Sequence, residues 1–318
     1  MGMDLRTATL DDAEGAADLR TARDPDDAIG GTMLRYYWTH APTSSTATRW
    51  VWVRDGRIVA FVGAGHQPWG DEDLHYGWLR VEIHPELWTA DLFREGIATA
   101  EAELRAQGAA VATTKIRSDF ADELRVLDKL GYREVRRERF WELDLVARRD
   151  PLLAGAERSR ASMRGQGIDL LTLTDADDEE TLHRIHRLDV ASTADIPTTV
   201  PNYIPPFEDW CRLYFENPAV RKDRFWIARS GNEVVGMSLI GYPPERGVPT
   251  TEYTGTSAQF RGRGIARALK YETVAQGIAV GATRVRTDND SENAPILHIN
   301  ADMGYEPMLP FIELHRKL

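Results

Sequence analysis

An internal repeat constrains the fold of this chain more than any other feature of its sequence. Residues 1–145 and 168–315 show the same kinds of motif in the same order. In the first and then the second copy, these motifs are a Gly turn between β-rich runs at Asp55-Gly56 and Ser230-Gly231, a Gly-Ile-Ala run at Gly96 and Gly264, and a Gly-Tyr pair at Gly131 and Gly304. Such turns predict hairpins, and a Gly after a helix predicts its end. The order therefore predicts two copies of one α/β unit.

The repeat also sets the predicted domain boundaries. A length of 318 residues suits two domains of ordinary size. We predict a first domain over residues 1–146 and a second over 168–318, each an α/β unit with a mixed sheet of the α+β kind. Residues 147–167 are rich in Arg, Gly and Ser with little periodicity. We therefore predict a linker there, with a short helix near residues 152–163.

Composition excludes several classes of function. The formal charge is −11 and both halves are acidic, so the chain lacks the basic face that nucleic-acid binding needs. An acidic surface attracts cationic substrates instead. Cys211 is the only cysteine, which excludes an intramolecular disulfide and a cysteine-ligated metal cluster. No apolar run approaches the roughly 20 residues that span a bilayer, and the N-terminus does not resemble a signal peptide. We expect no membrane partner and a cytoplasmic location.

The sharpest functional motif lies in the second copy, where a strand over 250–256 leads through a Gly-rich turn into a helix. Gly262 and Gly264 allow backbone N–H groups to converge beside the helix N-terminus, an arrangement that binds phosphate or pyrophosphate. The P-loop pattern fails, because it needs Lys and then Ser or Thr where Ile265-Ala266 stands. The dinucleotide fingerprint fails too, because Arg267 occupies the place of its third Gly.

The remaining pattern is Gln-x-x-Gly-x-Gly, which begins at Gln259. The run Gln-Phe-Arg-Gly-Arg-Gly-Ile-Ala resembles the coenzyme A pyrophosphate loop of the GNAT N-acetyltransferase superfamily. In that family an Asn eleven residues before the Gly of a Gly-Phe/Tyr pair contacts the pantetheine arm, and Asn293 has this spacing from Gly304. The resemblance covers all of the second copy and, in degraded form, the first. The chain is similar in this respect to the tandem GNAT proteins of actinobacteria.

The resemblance implies that acetyl-CoA is the cosubstrate. The strand backbone would hold the pantetheine arm, and the Gly-rich turn with the first turn of the helix would hold the pyrophosphate. No metal ion is implied. The cofactor-binding residues are then Thr254, Gly255, Thr256, Gln259, Arg261, Gly262, Arg263, Gly264, Ile265, Ala266 and Asn293.

Acetyl transfer to an amine requires a deprotonated amine and a polarised thioester carbonyl. The resemblance puts an acidic base on the strand, and we assign this role to Glu252, acting through water on an amine that attacks the thioester directly. Strand alternation places Glu252, Thr254 and Thr256 on one face and Tyr253 on the other. An N–H of the same strand would polarise the carbonyl. The family often has a Tyr acid seven residues after the Asn; Asn300 stands there, which leaves the general acid open.

The first copy departs from this pattern. It has one Gly, at Gly96, where the second copy has two, and it places Asp91 and Glu95 where a pyrophosphate would lie. Carboxylates at that place repel a phosphate group. We therefore predict that the first copy does not bind the cofactor and serves as a scaffold or as one wall of the substrate cleft.

Two weaker patterns complete the analysis. His183, His186 and Asp189 could put three ligands on one helix face, but no further ligand is evident, so we interpret them as a solvated face. The Pro- and aromatic-rich segment 195–210 corresponds to a region that shapes the acceptor pocket in the resembling family. Tyr203 and Trp210 are its candidate substrate contacts, and a rigid surface loop is the equal alternative.

We conclude from the sequence that the chain is an N-acetyltransferase that moves an acetyl group from acetyl-CoA to an amine of a small molecule or a peptide. Cys211 is not expected to act as a nucleophile, because no motif places a His beside it. The alternative is a non-catalytic protein that binds or senses acyl-CoA. We expect a monomer or a homodimer.

Overall fold

The computed structural model describes residues 4–70, 73–176, 178–196, 198–289 and 293–318. The strands of the first half are β1 (Asp4–Thr7), β2 (Thr46–Arg54), β3 (Arg57–His66), β4 (Tyr76–Ile83), β5 (Val111–Arg117) and β6 (Arg133–Asp144). Its helices are α1 (Ala13–Arg23), α2 (Gly31–Thr39), α3 (Ala90–Gln107) and α4 (Ala121–Lys129).

The second half repeats this alternation of helices and strands. Its helices are α5 (Arg149–Gly165), α6 (Glu179–Thr193), α7 (Phe207–Phe215), α8 (Ile265–Ala279) and α9 (Ala294–Met303). Its strands are β7 (Ile168–Thr172), β8 (Phe225–Ser230), β9 (Glu233–Gly241), β10 (Thr250–Thr256), β11 (Arg284–Asn289), β12 (Glu306–Pro307) and β13 (Phe311–Lys317).

Both predicted hairpins form. β2 and β3 are joined by Asp55 and Gly56, whose φ values of 52° and 76° are those of a tight two-residue hairpin turn. β8 and β9 turn at Gly231, where φ is 58°. The Gly-rich dipeptides therefore set the pairing register of both hairpins.

The described strands join into one mixed sheet that crosses both halves. Its order is β1-β2-β3-β4-β5-β13-β6-β11-β10-β9-β8-β7, with β12 on β6. The pairs β4–β5 and β10–β11 are parallel, and the others are antiparallel. The chain thus has the α/β character with a mixed sheet that the repeat predicts.

The two halves exchange strands in the middle of the sheet. The C-terminal strand β13 lies between β5 and β6 of the first half. β6 in turn pairs with β11 of the second half. The division into residues 1–146 and 168–318 stays a prediction of the repeated units, but the hydrogen-bonded sheet does not end at that boundary.

The short helix predicted near residues 152–163 forms, and it is longer than expected, because α5 occupies most of residues 147–167. α5 spans 17 residues and packs along α8, with Leu152, Ala156 and Met163 buried. Arg160 on α5 forms two hydrogen bonds, of 2.6 and 2.9 Å, with the buried carboxylate of Glu272 on α8. The apolar residues of α5 form a narrow stripe that faces α8, and the many Arg residues between them make this stripe hard to recognise in the sequence.

Helices cover both faces of the second half of the sheet. α6 and α7 pack on one face, in a core that includes Trp210 and reaches Tyr253 on β10. α8 packs on the opposite face, against β9 and the start of β7. None of the helices in the described ranges is both long and apolar enough to cross a membrane.

Candidate active site

The second half of the sheet opens between two parallel strands. β10 and β11 pair only near their starts, where Thr250 lies beside Arg286. There the Arg286 N–H donates a hydrogen bond to the Pro249 carbonyl over 2.8 Å. Toward their carboxyl ends the strands diverge, and no further pair joins them in the described residues. We refer to this V-shaped opening as the β10–β11 cleft.

A Gly-rich turn follows β10 at the open end of this cleft. Gly262 and Gly264 have φ values of 77° and 83°, a region that other residues enter only at a steric cost. Gly264 is the N-cap of α8, and the first turn of α8 holds no acidic residue. Unpaired N–H groups at a helix N-terminus suit an anion. The residues present therefore fit the pyrophosphate of a CoA thioester.

The side chains of this turn lie around its exposed backbone. Arg261 forms an ion pair of 2.5 Å with Asp195, and the guanidinium of Arg263 lies 4.8 Å from the ring centre of Phe260. Gln259 is exposed. Ile265 is buried in the core and Ala266 is half-buried. A ligand at the turn would therefore contact these two residues through their backbone N–H groups.

The other predicted CoA contacts lie on the two sides of the cleft. Thr254 shares a 2.8 Å hydrogen bond with Ser238, and Gly255 is buried. The Thr256 hydroxyl is buried and has no hydrogen-bond partner among the described residues. Asn293 lies beyond β11 as the N-cap of α9, and residues 290–292, which connect it to the strand, lie outside the described residues.

Glu252 occupies an irregular position in β10. The register with β9 shifts between Thr251 and Tyr253, so Glu252 is the extra residue of a β-bulge. The bulge corrects the expected alternation. Tyr253 packs in the same core as Tyr214 of α7, and Glu252 lines a cavity with Tyr214, so both side chains lie on the same side of the sheet. The Tyr253 hydroxyl lies 2.8 Å from that of Ser192 on α6, which makes it part of the core.

The Glu252 carboxylate opens into a cavity of about 230 Å³ between the two halves of the chain. The Glu252 side chain is exposed to this cavity, but the protein packed around the carboxylate removes part of its hydration, and this desolvation raises the pKa of Glu252 to about 7. The nearby carboxylate of Asp288 on β11 adds to the shift. Among the described residues no donor is within hydrogen-bonding distance of Glu252. It is therefore an unpaired carboxylate that titrates near neutral pH.

The first half supplies a wall of this cavity, which sequence reasoning anticipated only in general terms. Tyr36, Tyr37 and His40 of α2 line it opposite Glu252. Tyr36 donates a hydrogen bond of 2.5 Å to the Leu213 carbonyl, which joins α2 to α7. Burial raises the pKa of both tyrosines to about 12, so they stay protonated at neutral pH. No local motif marks these residues, because only the contact between the halves brings them to Glu252.

Comparison with known proteins identifies the second half. Residues 182–305, which include β10, the Gly-rich turn and Asn293, match the model of the Acetyltransferase (GNAT) family. This segment is a GNAT acyltransferase domain.

Solved structures similar to the whole chain show the same fold. A tandem GNAT protein from the clavulanic acid biosynthesis pathway is 15% identical, with a TM-score of 0.77 and coverage of 99% of this chain and 98% of that one. A GCN5-related N-acetyltransferase from Sphaerobacter thermophilus is 18% identical, with a TM-score of 0.66 and coverage of 99% and 95%. The predicted tandem GNAT fold is thereby confirmed.

The first half of the chain lacks the turn of the GNAT domain, and the structure corrects how the copies align. Gly96 lies inside α3 and packs against Val81, so it is not the counterpart of Gly264. The N-cap of α3 is Thr89, and Asp91 stands in the first turn. Without a Gly turn, and with a carboxylate at the helix N-terminus, this half is poorly suited to a pyrophosphate. That it does not bind the cofactor stays a prediction.

The two predicted substrate contacts do not meet at Glu252. Trp210 is 1% exposed, and its indole N–H donates to the Asp189 carboxylate over 2.7 Å, so it is a core residue of the GNAT domain and is not available to a substrate. Tyr203 lines another cavity, of about 680 Å³, beside Trp78 of β4.

The His183, His186 and Asp189 pattern is structural. His183 stacks on Phe207 at 3.7 Å between ring centres, and His186 hydrogen-bonds the Pro205 carbonyl over 3.0 Å. With Asp189 bound to Trp210, the three side chains are directed at different partners. They anchor α6 to α7 and to the segment before it.

Proposed function

We propose that the GNAT domain transfers an acetyl group from acetyl-CoA to an amine by direct attack of the amine on the thioester. The observation that carries this proposal is Glu252, an unpaired carboxylate at the closed end of the β10–β11 cleft. The Gly-rich turn lies at the open end of the same cleft, one strand length away. The base and the pyrophosphate site are thus held by one strand.

The chemistry supports Glu252 as the general base. An amine with an ordinary pKa near 10 is protonated at neutral pH and must lose a proton before it attacks. A carboxylate with a pKa of about 7 is far better matched to that task than a Glu with the ordinary pKa of about 4.3. Beyond Thr250 no pair with β11 is present among the described residues, and an N–H of this edge of β10 would polarise the thioester carbonyl.

The charges around the cavity support a cationic acceptor. The Glu252 carboxylate lines the cavity and attracts a cation, and the charge of Asp288 acts in the same direction. His40, which also lines the cavity, lies 2.8 Å from the carboxylate of Glu216. The aromatic rings of Tyr36 and Tyr37 favour a cation as well. We therefore propose an ammonium-bearing small molecule or peptide as acceptor. A cytoplasmic location, the absence of nucleic-acid or membrane partners, and a monomeric or homodimeric state belong to the same proposal.

Calorimetric titration with acetyl-CoA tests this function. We expect one site per chain, because only the second half has the Gly-rich turn. Gly264→Glu should abolish binding, since it puts a carboxylate at the helix N-terminus where the pyrophosphate lies. The matched control is Gly281→Glu, because Gly281 has nearly the same φ, 85°, and follows the far end of α8.

Three outcomes would contradict parts of the proposal. Two sites per chain would show that the first half binds the cofactor. Binding that survives Gly264→Glu would mean that the turn is not the pyrophosphate site. Binding without acetylation of any amine in a panel of polyamines, amino sugars and peptides would favour the acyl-CoA sensor.

A further inference from the structure

Lys270 is a buried ammonium group that the proposed function does not use. It lies in the second turn of α8 with 1% of its surface exposed. Its Nζ has no hydrogen-bond partner among the described residues and lies 4.8 Å from the ring centre of Tyr305. A buried charge without a partner is costly to the fold. Such groups are concentrated at functional sites.

The geometry of α8 places Lys270 beside the closed end of the β10–β11 cleft. The helix begins at the Gly-rich turn and runs back along β10. At 1.5 Å per residue, Lys270 lies about 9 Å from the helix N-terminus. On a strand that rises about 3.3 Å per residue, this distance leads from Thr256 back to the bulge. Tyr305, beneath the ammonium, has its hydroxyl beside Thr251, the residue before Glu252.

Lys270 and Glu252 approach the cleft from opposite faces of the sheet. Glu252 faces the cavity beside α7, whereas Lys270 extends from α8 on the other face. The charge of Asp288 on β11 acts on both groups. The titratable group in contact with Lys270 is Tyr305, over whose ring the ammonium lies. Acyl transfer needs a base for the amine and an acid for the sulfur, and two groups on opposite faces of the sheet are suited to act on two different atoms of the reaction.

We propose that Lys270 is the general acid that protonates the leaving sulfur of the thioester. This inference rests on the proposed function. The amine nitrogen attacks the carbonyl carbon and its proton goes to Glu252. The C–N bond forms, the C–S bond breaks, and the electron pair of that bond goes to sulfur, which takes a proton from Lys270 Nζ. Glu252 then releases its proton to solvent and Lys270 regains one from solvent.

The acidity of Lys270 suits this transfer. Burial lowers the pKa of Lys270 to about 7, and the charge of Asp288 only partly opposes the shift. An ordinary thiol has a pKa of about 8.5, so a proton moves downhill from this ammonium to a thiolate. Asn300, where the resembling family often has Tyr, is an amide that donates a 2.6 Å hydrogen bond to Asn289 and has no acidic proton to give.

The test uses the full chain with acetyl-CoA and hydroxylamine as acceptor, followed by hydroxamate formation across pH 5.5 to 9.5 (about the range in which both groups titrate). Hydroxylamine is largely unprotonated at neutral pH, so its attack depends little on Glu252 and the acid step is isolated. We expect the wild-type rate to fall above about pH 7, as Lys270 loses its proton. Lys270→Met should lower kcat by about 10²–10³ and remove this fall.

Controls separate a chemical role from a structural one. Leu269→Met changes a buried neighbour on the same helix and should leave the pH profile intact. Acetyl-CoA affinity by calorimetry should be the same in Lys270→Met and wild type. If Lys270→Met does not fold, Lys270→Arg keeps the charge, but a guanidinium does not give up its proton to a thiolate. Lys270→Arg should therefore lower kcat and remove the fall above pH 7.

The outcomes distinguish this inference from the proposed function. A Lys270→Met enzyme that keeps both the wild-type kcat and the fall above pH 7 would overturn the role of Lys270 alone. The same holds for a Lys270→Arg enzyme whose fall stays near pH 7. A wild-type chain that binds no acetyl-CoA, or binds it without releasing CoA to any acceptor, would overturn the proposed function and this inference with it.

Discussion

At the scale of single residues, Glu252 should control the low-pH side of the rate profile with an amine acceptor. Only the carboxylate form accepts a proton, so wild-type kcat/KM should rise with pH through about 7. Glu252→Gln should lower kcat/KM by about 10²–10⁴ at neutral pH and remove that rise, without changing acetyl-CoA affinity. Stopped-time acetylation assays across pH measure both effects.

Asp288→Asn is the matched variant for this prediction. The Asp288 carboxylate raises the pKa of both Glu252 and Lys270, so its removal should move the rising and the falling side of the profile to lower pH. A profile that does not move would mean that Asp288 is too far away to act. An unchanged rise in Glu252→Gln would remove Glu252 as the base.

The same residues show how far the sequence could be interpreted. Glu252 and the loop from Gln259 to Ala266 follow from a motif of fixed spacing, so they could be predicted. The side of the sheet on which Tyr253 lies could not be predicted, because one bulged residue reverses the alternation of the strand and a bulge depends on the partner strand. Lys270 could not be predicted as a functional residue, because only the packing shows that it is buried and has no hydrogen-bond partner among the described residues.

At the scale of elements, α5 should support α8 through the pair of Arg160 with Glu272. Arg160→Met leaves a buried carboxylate without its two donors and should lower the free energy of unfolding by about 1–3 kcal/mol. Urea unfolding at neutral pH measures the loss. Arg158→Met, an exposed position on the same helix, should change stability little.

Adding Glu272→Leu to Arg160→Met should regain most of this stability, because the unpaired charge is then gone. A double variant as unstable as the single one would mean that the loss comes from packing of the Arg160 stem.

α5 also shows why some elements are easier to predict from the sequence than others. Hairpins are specified by two turn residues, whereas α5 depends on an apolar stripe of a few residues within a basic segment.

At the scale of the whole molecule, the exchange of strands should make the two halves unfold together. The repeat could reveal two units, but not that β13 of the second lies between β5 and β6 of the first. A repeat is equally consistent with each unit keeping its own last strand. Only the pairing across the middle of the sheet decides between these arrangements.

This coupling predicts that acetyl-CoA, bound in the second half, stabilises the first half equally. Seven of the nine Trp residues precede residue 147, so Trp fluorescence reports mainly on the first half. Saturating acetyl-CoA should raise the Tm from Trp fluorescence and from circular dichroism by the same amount.

A variant on β13 tests the same coupling. Leu314 is 5% exposed in the core of the first half, so Leu314→Ala should cost about 2–5 kcal/mol of folding free energy and lower both Tm values together. Leu309→Ala is the control, because Leu309 is 51% exposed and its loss should leave both Tm values unchanged. Two separate transitions, with only one moved by acetyl-CoA, would show that the halves fold independently despite the shared sheet.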